Sequence, residues 1–211
     1  FATTQIDYAA KSAKVKISTD IQIAPKTKAA KDMTLTAEIW DNGKKVSEFS
    51  NRLDLSKSHN QEMELTVGNA KLWNAEQPNL YDLVLKLSQK GKTIDVRGSK
   101  LGIREVAVNE QGAITINGKP IKINGVNRHD FSTTNGRTVS KEEMERDIML
   151  MKRLNINAVR TSHYPNNPYF YDLCDKHGIY VLAEANIECH GNFSLSGNEK
   201  FAAPMVERNV N

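Results

Sequence analysis

Three clusters of polar, titratable side chains lie between Gly125 and Gly191, and each follows a short apolar run within a few residues. The clusters are Asn127-Arg128-His129-Asp130, then Arg160-Thr161-Ser162-His163, and then Glu184, Asn186, Glu188 and His190. Such groups can hydrogen-bond a polar ligand at positions where charge develops during a reaction. Helical patterns separate the apolar runs, and alternating strands and helices are typical of a parallel sheet with right-handed crossovers. The clusters therefore predict a site at the C-terminal face of a β/α barrel.

Three short strands would have to position these clusters. The apolar runs that predict them are 121–126, 156–159 and 179–183. The third run is continuously apolar, which is typical of strands buried in a parallel sheet. Three strands and the two helices between them are under half of an eight-stranded barrel, which needs about 250 residues. The sequence therefore predicts the start of a TIM (β/α)8 barrel, left incomplete, with an open edge at its last strand.

Two helices are predicted between these strands. Ser140 and Glu143 have the spacing of a capping box, in which each side chain satisfies the backbone amide of the other residue. An apolar face follows at spacings of four, three and three residues. Its members are Met144, Ile148, Met151 and Leu154. Pro168 is expected to open the second helix and Gly178 to end it. The apolar side of the second helix consists of Phe170, Leu173 and Cys174.

The first half of the chain has strand signals and little else. Alternating segments occur at 13–18, 20–23, 33–40, 45–49, 62–67, 80–87 and 93–97. Seven short strands with turns at this spacing predict an all-β, immunoglobulin-like sandwich over 1–106. The stretch 107–124 is expected to form a bridging hairpin, because it contains two Gly-ending turn pairs. The predicted domains are therefore the sandwich at 1–106 and the N-terminal part of a catalytic barrel at 107–211.

Composition excludes several classes of protein. The 29 basic and 25 acidic residues are interleaved along the chain, and no basic cluster points to nucleic acid or a membrane surface as partner. Two cysteines, Cys174 and Cys189, are too few for a disulfide framework or a cysteine-rich zinc site. Cys174 is expected to be a small core residue. No apolar run approaches the length that spans a membrane.

Four segments resemble the motifs of one glycoside hydrolase family, which contains the large bacterial β-galactosidases, β-glucuronidases and β-mannosidases. The segments are LWNAEQPNLYDL at 72–83, GVNRH at 125–129, NAVRTSHYPN at 157–166 and EANIECHG at 184–191. The resemblance implies a retaining mechanism, in which one glutamate protonates the leaving oxygen and later activates water while a second attacks the anomeric carbon. It also implies that both glutamates lie beyond residue 211, so that this fragment alone is expected to be inactive.

The resemblance implies roles for five of the clustered residues. His129 and His163 match histidines that contact the sugar and stabilise the transition state. Arg160 matches an arginine near the nucleophile, where a guanidinium would keep the carboxylate ionised and oriented. Glu184 and Asn186 are expected to orient the groups that touch the substrate.

The last cluster bears on metal and substrate. Glu188 and His190 match the two protein ligands of a Mg²⁺ site in the β-galactosidase branch, whose third ligand would be the acid/base glutamate. One imidazole is unusual for Mg²⁺, so Mn²⁺ and Zn²⁺ stay open, and the fragment alone is expected to bind metal weakly or not at all. The resemblance implies that glucuronidases lack this E-x-H pattern, which favours a β-galactosidase. Asp130-Phe131-Ser132 departs from many relatives and leaves fine specificity open.

The function expected from these observations is hydrolysis of terminal β-D-galactosides by a parent enzyme that forms a homo-oligomer. The cytoplasm and the periplasm of a bacterium are both compatible with the resemblance. The alternative is a non-catalytic carbohydrate-binding or assembly module that uses the sandwich alone, since one fold hosts many functions.

Overall fold

A computed structural model describes residues 1–22, 32–55, 59–188 and 190–210. The chain divides into two compact units, Phe1–Ile121 and Lys122–Asn211, and each is described by itself below. Cys189 and Ile23, which the sequence analysis considered, lie outside the described residues. No helix in the described ranges combines the length and the apolar character needed to cross a membrane.

The first unit contains two antiparallel sheets built from its first seven strands. The strands are β1 Ala2–Asp7, β2 Ser12–Asp20, β3 Met33–Asp41, β4 Lys44–Leu53, β5 Asn60–Gly68, β6 Tyr81–Gln89 and β7 Lys92–Leu101. One sheet has the order β1-β2-β5 and the other the order β4-β3-β6-β7. Three shorter strands, β8 Val106–Val108, β9 Ile114–Ile116 and β10 Lys119–Pro120, form a separate small sheet. The predicted sandwich fold is confirmed.

The alternation of apolar and polar residues explains how the two sheets pack. Val15 and Ile17 of β2 and Leu65 of β5 are buried, whereas the residues between them are exposed. Leu35 and Ile39 of β3 belong to the same hydrophobic cluster as these three residues, although they lie in the other sheet. A period of two places every second side chain on one face, so the inner faces of both sheets share one core.

One strand of this unit was not predicted, and one predicted strand was wrong. Strand β1 was not predicted, because Ile6 is the only large apolar residue in its ATTQID sequence and no apolar alternation marks it. Its register with β2, from Ala2 opposite Ile17 to Asp7 opposite Ser12, is what defines it as a strand. The segment 20–23 was predicted as a separate strand, but Asp20 is the last residue of β2, and Ile21 and Gln22 lie outside any strand.

The second unit begins as an alternation of parallel strands and helices. Its elements are β11 Gly125–Arg128, α1 Lys141–Arg153, β12 Ala158–Thr161, α2 Pro168–His177, β13 Tyr180–Leu182 and a final helix α3 Ala202–Val210. The three strands form a parallel sheet in the order β11-β12-β13. Strand β11 begins at Gly125 and not at 121, where the sequence predicted its start. The predicted start of a TIM barrel is confirmed, and the strands in the described ranges do not close into a barrel.

Local sequence explains both helices between the strands. The Ser140 hydroxyl accepts from the Glu143 amide at 3.2 Å, and the Glu143 carboxylate accepts from the Ser140 amide at 2.9 Å, which confirms the capping box. Helix α2 begins at Pro168 and is followed by Gly178 at φ 70°, as predicted. Leu154 was wrongly placed on the apolar face. It lies beyond the last residue of α1, where the backbone leaves the helix, and its side chain is 60% exposed.

The predicted apolar faces of the two helices meet in one core. The buried members are Met144, Ile148, Met151, Val159, Phe170, Leu173, Cys174 and Ile179. Cys174 is 1% exposed, which confirms it as a core residue. Burial raises the pKa of its thiol to about 12, because a thiolate would lose its hydration there.

Candidate active site

The C-terminal ends of the three parallel strands bring the predicted clusters together. Asn127, Arg160 and Leu182 occupy one register row across β11, β12 and β13. The preceding row contains Val159, which belongs to the core under the helices. Because successive side chains point to opposite faces, Asn127 and Arg160 lie on the face that turns away from the helices. Arg128 then returns to the helix side at the end of β11.

His129 and His163 lie side by side just beyond β11 and β12. Their ring centroids are 5.6 Å apart, and the rings meet edge to face at 82°. The Tyr164 hydroxyl lies 3.4 Å from Nδ1 of His129. The peptide bond between Ser162 and His163 is cis. The side chain of His163 is 33% exposed and His129 is exposed, so both imidazoles can reach a ligand in solvent.

Glu184 connects Arg160 with His163. One carboxylate oxygen accepts a hydrogen bond from Nε of Arg160, and the other lies 3.0 Å from Nδ1 of His163. Nη2 of Arg160 also lies 3.2 Å from the same Nδ1. One ring nitrogen cannot donate to a carboxylate and accept from a guanidinium at the same time. The charge-assisted bond to Glu184 is the stronger one, so Nδ1 is the donor and Nε2 of the neutral ring is left as an acceptor.

The environment of Glu184 favours its ionised form. Partial burial would raise the pKa of the carboxyl, but hydrogen bonds from Arg160 and His163 outweigh burial, and the pKa lies below its usual value of 4.5. The amide of Glu184 donates to the Thr161 hydroxyl at 3.0 Å, which fixes the backbone after β13 against the end of β12. Glu184, which was expected to orient the groups of the site, therefore contacts both Arg160 and His163.

Replacing Glu184 by Gln is expected to destabilise the protein at neutral pH and to have less effect in acid. The pKa of Glu184 is lower in the folded than in the unfolded protein, so on acidification the unfolded carboxyl takes up a proton first. The stabilisation from the ionised carboxylate is therefore fully present above pH 4.5 and is lost as the pH falls through the folded pKa. Denaturant unfolding of both proteins between pH 7 and pH 3 measures the difference. Glu199→Gln, at an exposed position, is the control. A wild-type advantage that does not shrink below pH 4.5 would contradict the assignment.

The loop after β13 places Glu188 near His163. Nε2 of His163 is 4.0 Å from one carboxylate oxygen of Glu188, and the other oxygen lies 2.9 Å from Nδ1 of His190. Asn186 is exposed, and its backbone carbonyl accepts from Arg208 at 3.2 Å. The structure thus brings His163, Glu184 and Glu188 together, while no hydrogen bond within the described residues joins the Asn186 side chain to them.

Glu188 and His190 fit two positions of a metal site. They offer a carboxylate oxygen and an imidazole nitrogen, both open to solvent, since the two side chains are 41% and 87% exposed. The ranges that the structure describes contain no group of three or more His, Cys, Asp and Glu that could hold a metal ion. Mg²⁺ requires near-octahedral coordination, mostly by oxygen. These two side chains could therefore bind it only together with further ligands.

One residue of the site was missed by sequence reasoning. Arg128 was quoted within a cluster but was given no role, and it is 6% exposed with carboxylates of two segments around it. The position of Arg128 in β11 could have revealed its role. Side chains alternate along a strand, so if Asn127 points to the site, Arg128 has to face the helices. An arginine buried in that position requires polar or acidic partners.

Comparison with known proteins gives a consistent family. The model described as "Glycosyl hydrolases family 2" matches residues 1–104. The model described as "Glycosyl hydrolases family 2, TIM barrel domain" matches residues 106–209. The first match covers β1 to β7, and the second covers the small sheet β8–β10 together with the β/α segment.

Similar proteins come from several bacteria. A β-galactosidase of Leuconostoc mesenteroides is 39% identical, with 85% of this chain and 18% of that protein covered. A family 2 glycosyl hydrolase of Bacteroides cellulosilyticus superposes with a TM-score of 0.80 at 30% identity, over 88% of this chain and 25% of the other. An FMN-binding β-glucuronidase of Facaelibacterium prausnitzii superposes with a TM-score of 0.75 at 28% identity, over 87% and 27%.

The chain therefore spans less than a third of the length of each of these three relatives. Its fold agrees with those of the two solved structures, and two models of one family together cover almost all of its residues. The chain belongs to glycosyl hydrolases family 2.

Proposed function

We propose that the full-length protein is a retaining β-galactosidase and that this chain supplies the sugar-binding part of its active site. The observation that carries the proposal is the 5.6 Å pairing of His129 and His163 beyond adjacent parallel strands. Glu184 holds Nδ1 of His163, so Nε2, which lies 4.0 Å from the Glu188 carboxylate, can accept a hydrogen bond from a sugar hydroxyl. Hydrogen bonds placed before the reaction begins are most valuable where charge develops in the transition state.

Arg160 has the position and charge to hold the nucleophile. Its guanidinium lies on the face away from the helices and is fixed at Nε by Glu184. The remaining nitrogens would orient a second carboxylate, keep it ionised and so preserve its nucleophilicity. In this proposal the nucleophile and the acid/base glutamate come from a segment of the parent enzyme outside this chain, and the chain alone is inactive.

The substrate assignment depends on two observations. The E-x-H pattern at Glu188 and His190 favours the galactosidase branch, and the Leuconostoc relative named β-galactosidase is 39% identical. The β-glucuronidase neighbour is 28% identical. A Mg²⁺ ion held by Glu188, His190 and further ligands would supply positive charge near the site. Homo-oligomer formation and the domain boundary at 106/107 stay predictions.

Hydrolysis by the full-length protein tests the proposal. We expect it to cleave an aryl β-D-galactoside with retention at the anomeric carbon, followed by NMR of the first-formed sugar, and to leave the matched β-D-glucuronide largely intact. Preference for the glucuronide would overturn the substrate assignment. Galactoside binding without any hydrolysis would favour the non-catalytic module instead.

A further inference from the structure

We propose that Arg128 is a positioning residue of this site, whose buried guanidinium fixes the two loops that carry His129 and His163. Its consequence for catalysis rests on the proposed function, whereas its effect on the spacing of the two imidazoles does not. Arg128 is not one of the sugar-binding residues described above, because its side chain lies on the helix side of the sheet and does not face the ligand.

The guanidinium is clamped from three directions. Nε donates to Asp147 of α1 at 2.9 Å, and Nη1 donates to Asp130 of its own loop at 2.8 Å. Cζ of the guanidinium lies 4.1 Å from the centre of the Phe170 ring in α2. A buried cation is stable only with such partners, and the fork of a guanidinium holds both carboxylates at fixed angles. Arg128 therefore ties the end of β11 to both helices.

A further bond extends this clamp to the loop of His163. Nη1 of Arg128 donates to the side-chain oxygen of Asn166 at 2.6 Å, and Asn166 is itself buried. The amide of the Asn166 side chain donates to the Tyr164 carbonyl at 3.3 Å, one residue after His163. The Tyr164 hydroxyl lies 3.4 Å from Nδ1 of His129, which directly follows Arg128. The contacts thus form a closed circuit through both histidine loops.

This circuit explains why the residue would have to be an arginine. The bonds to Asp147 and Asn166 leave from different nitrogens of one rigid plane. A lysine has a single charged nitrogen on a flexible stem, so it can neutralise the carboxylates without holding both loops. If the loops shift, the imidazoles move, and a misplacement of about 1 Å in a catalytic site can cost about 100-fold in rate.

The test compares Arg128→Lys and Asn166→Ala with two controls in the full-length protein. Arg153→Lys controls for the type of substitution at an exposed site, and Ile148→Val controls for a modest loss of stability in the core beneath the helices. The readouts are kcat on an aryl β-D-galactoside, the melting temperature and the distance between the His129 and His163 rings in crystal structures.

We expect kcat to fall about 10- to 100-fold in both test variants, by the cost of misplacement. The ring separation should change from 5.6 Å in both, while the two controls keep the wild-type kcat and separation. Unchanged separation in both variants, or an equal loss of kcat in Ile148→Val at a similar melting temperature, would overturn the proposal. If Arg128→Lys does not fold, Asn166→Ala decides, since it keeps both carboxylate pairs. Failure of the wild-type protein to cleave galactosides would refute the proposed function, and the ring separations would still test the positioning.

Discussion

His163→Ala in the full-length protein is expected to reduce kcat on β-galactosides about 100- to 1000-fold, the order of loss that follows when one preorganised hydrogen-bonding side chain is removed from a transition state. The expectation rests on the contact of Nδ1 with Glu184 at 3.0 Å, which fixes the ring and leaves Nε2 to accept from a sugar hydroxyl. Steady-state kinetics on an aryl galactoside measures the effect. Because the bond would strengthen in the transition state, kcat should fall more than substrate affinity.

The control is a histidine of the same unit that lies away from the site. His177 is at the end of α2, where burial and nearby lysines lower its pKa, and within the described residues it shares no hydrogen bond with the cluster. His177→Ala should keep kcat close to wild type. A His163→Ala enzyme that turns over as fast as the His177→Ala enzyme would remove His163 from the active site.

Phe170→Ala is expected to cost about 3–5 kcal/mol in the stability of the second unit, as removal of a buried aromatic side chain does. Phe170 is 0% exposed and packs with Ile148 and Val159 in one core. Its ring also lies under the Arg128 guanidinium, so the substitution removes an apolar contact and a cation–π contact together. Hydrogen exchange of the amides in α1 and α2 reports the loss where it occurs.

Phe170→Leu provides the graded comparison. Leucine keeps part of the buried volume but lacks the ring, so Phe170→Leu should lose less unfolding free energy than Phe170→Ala. Protection factors in the first unit, measured in the same experiment, provide the internal reference for each variant. A loss below about 1 kcal/mol for Phe170→Ala, a magnitude typical of ordinary substitutions, would mean that this core is not what holds the helices to the sheet.

Features with a local cause could be predicted from the sequence. The capping box at Ser140 and Glu143 and the glycine after α2 act over three or four residues, so their spacing alone was enough. Strand β1 could not be found in this way, because it is defined by pairing with β2 and has no strong apolar alternation of its own. Leu154 continued the apolar spacing but lies where the helix ends, which the spacing alone does not reveal.

The same distinction between local and tertiary causes applies to the candidate site. Placement of His129 and His163 beyond successive strands followed from the strand–helix alternation, and the resemblance supplied their expected roles. The shared use of Glu184 by Arg160 and His163 joins residues 21 to 24 positions apart and is a tertiary contact. Two partners of Arg128, Asp147 and Asn166, are 19 and 38 positions away, and no pattern of residue types specifies them.

Cys174 is buried so deeply that its chemical reactivity can report how often helix α2 detaches from the core. With a thiol pKa near 12 and 1% of its surface exposed, it carries almost no thiolate at neutral pH while α2 stays docked. An alkylating reagent can therefore modify Cys174 only while α2 is transiently detached from the core. The rate of modification would measure how often α2 detaches under native conditions, without added denaturant.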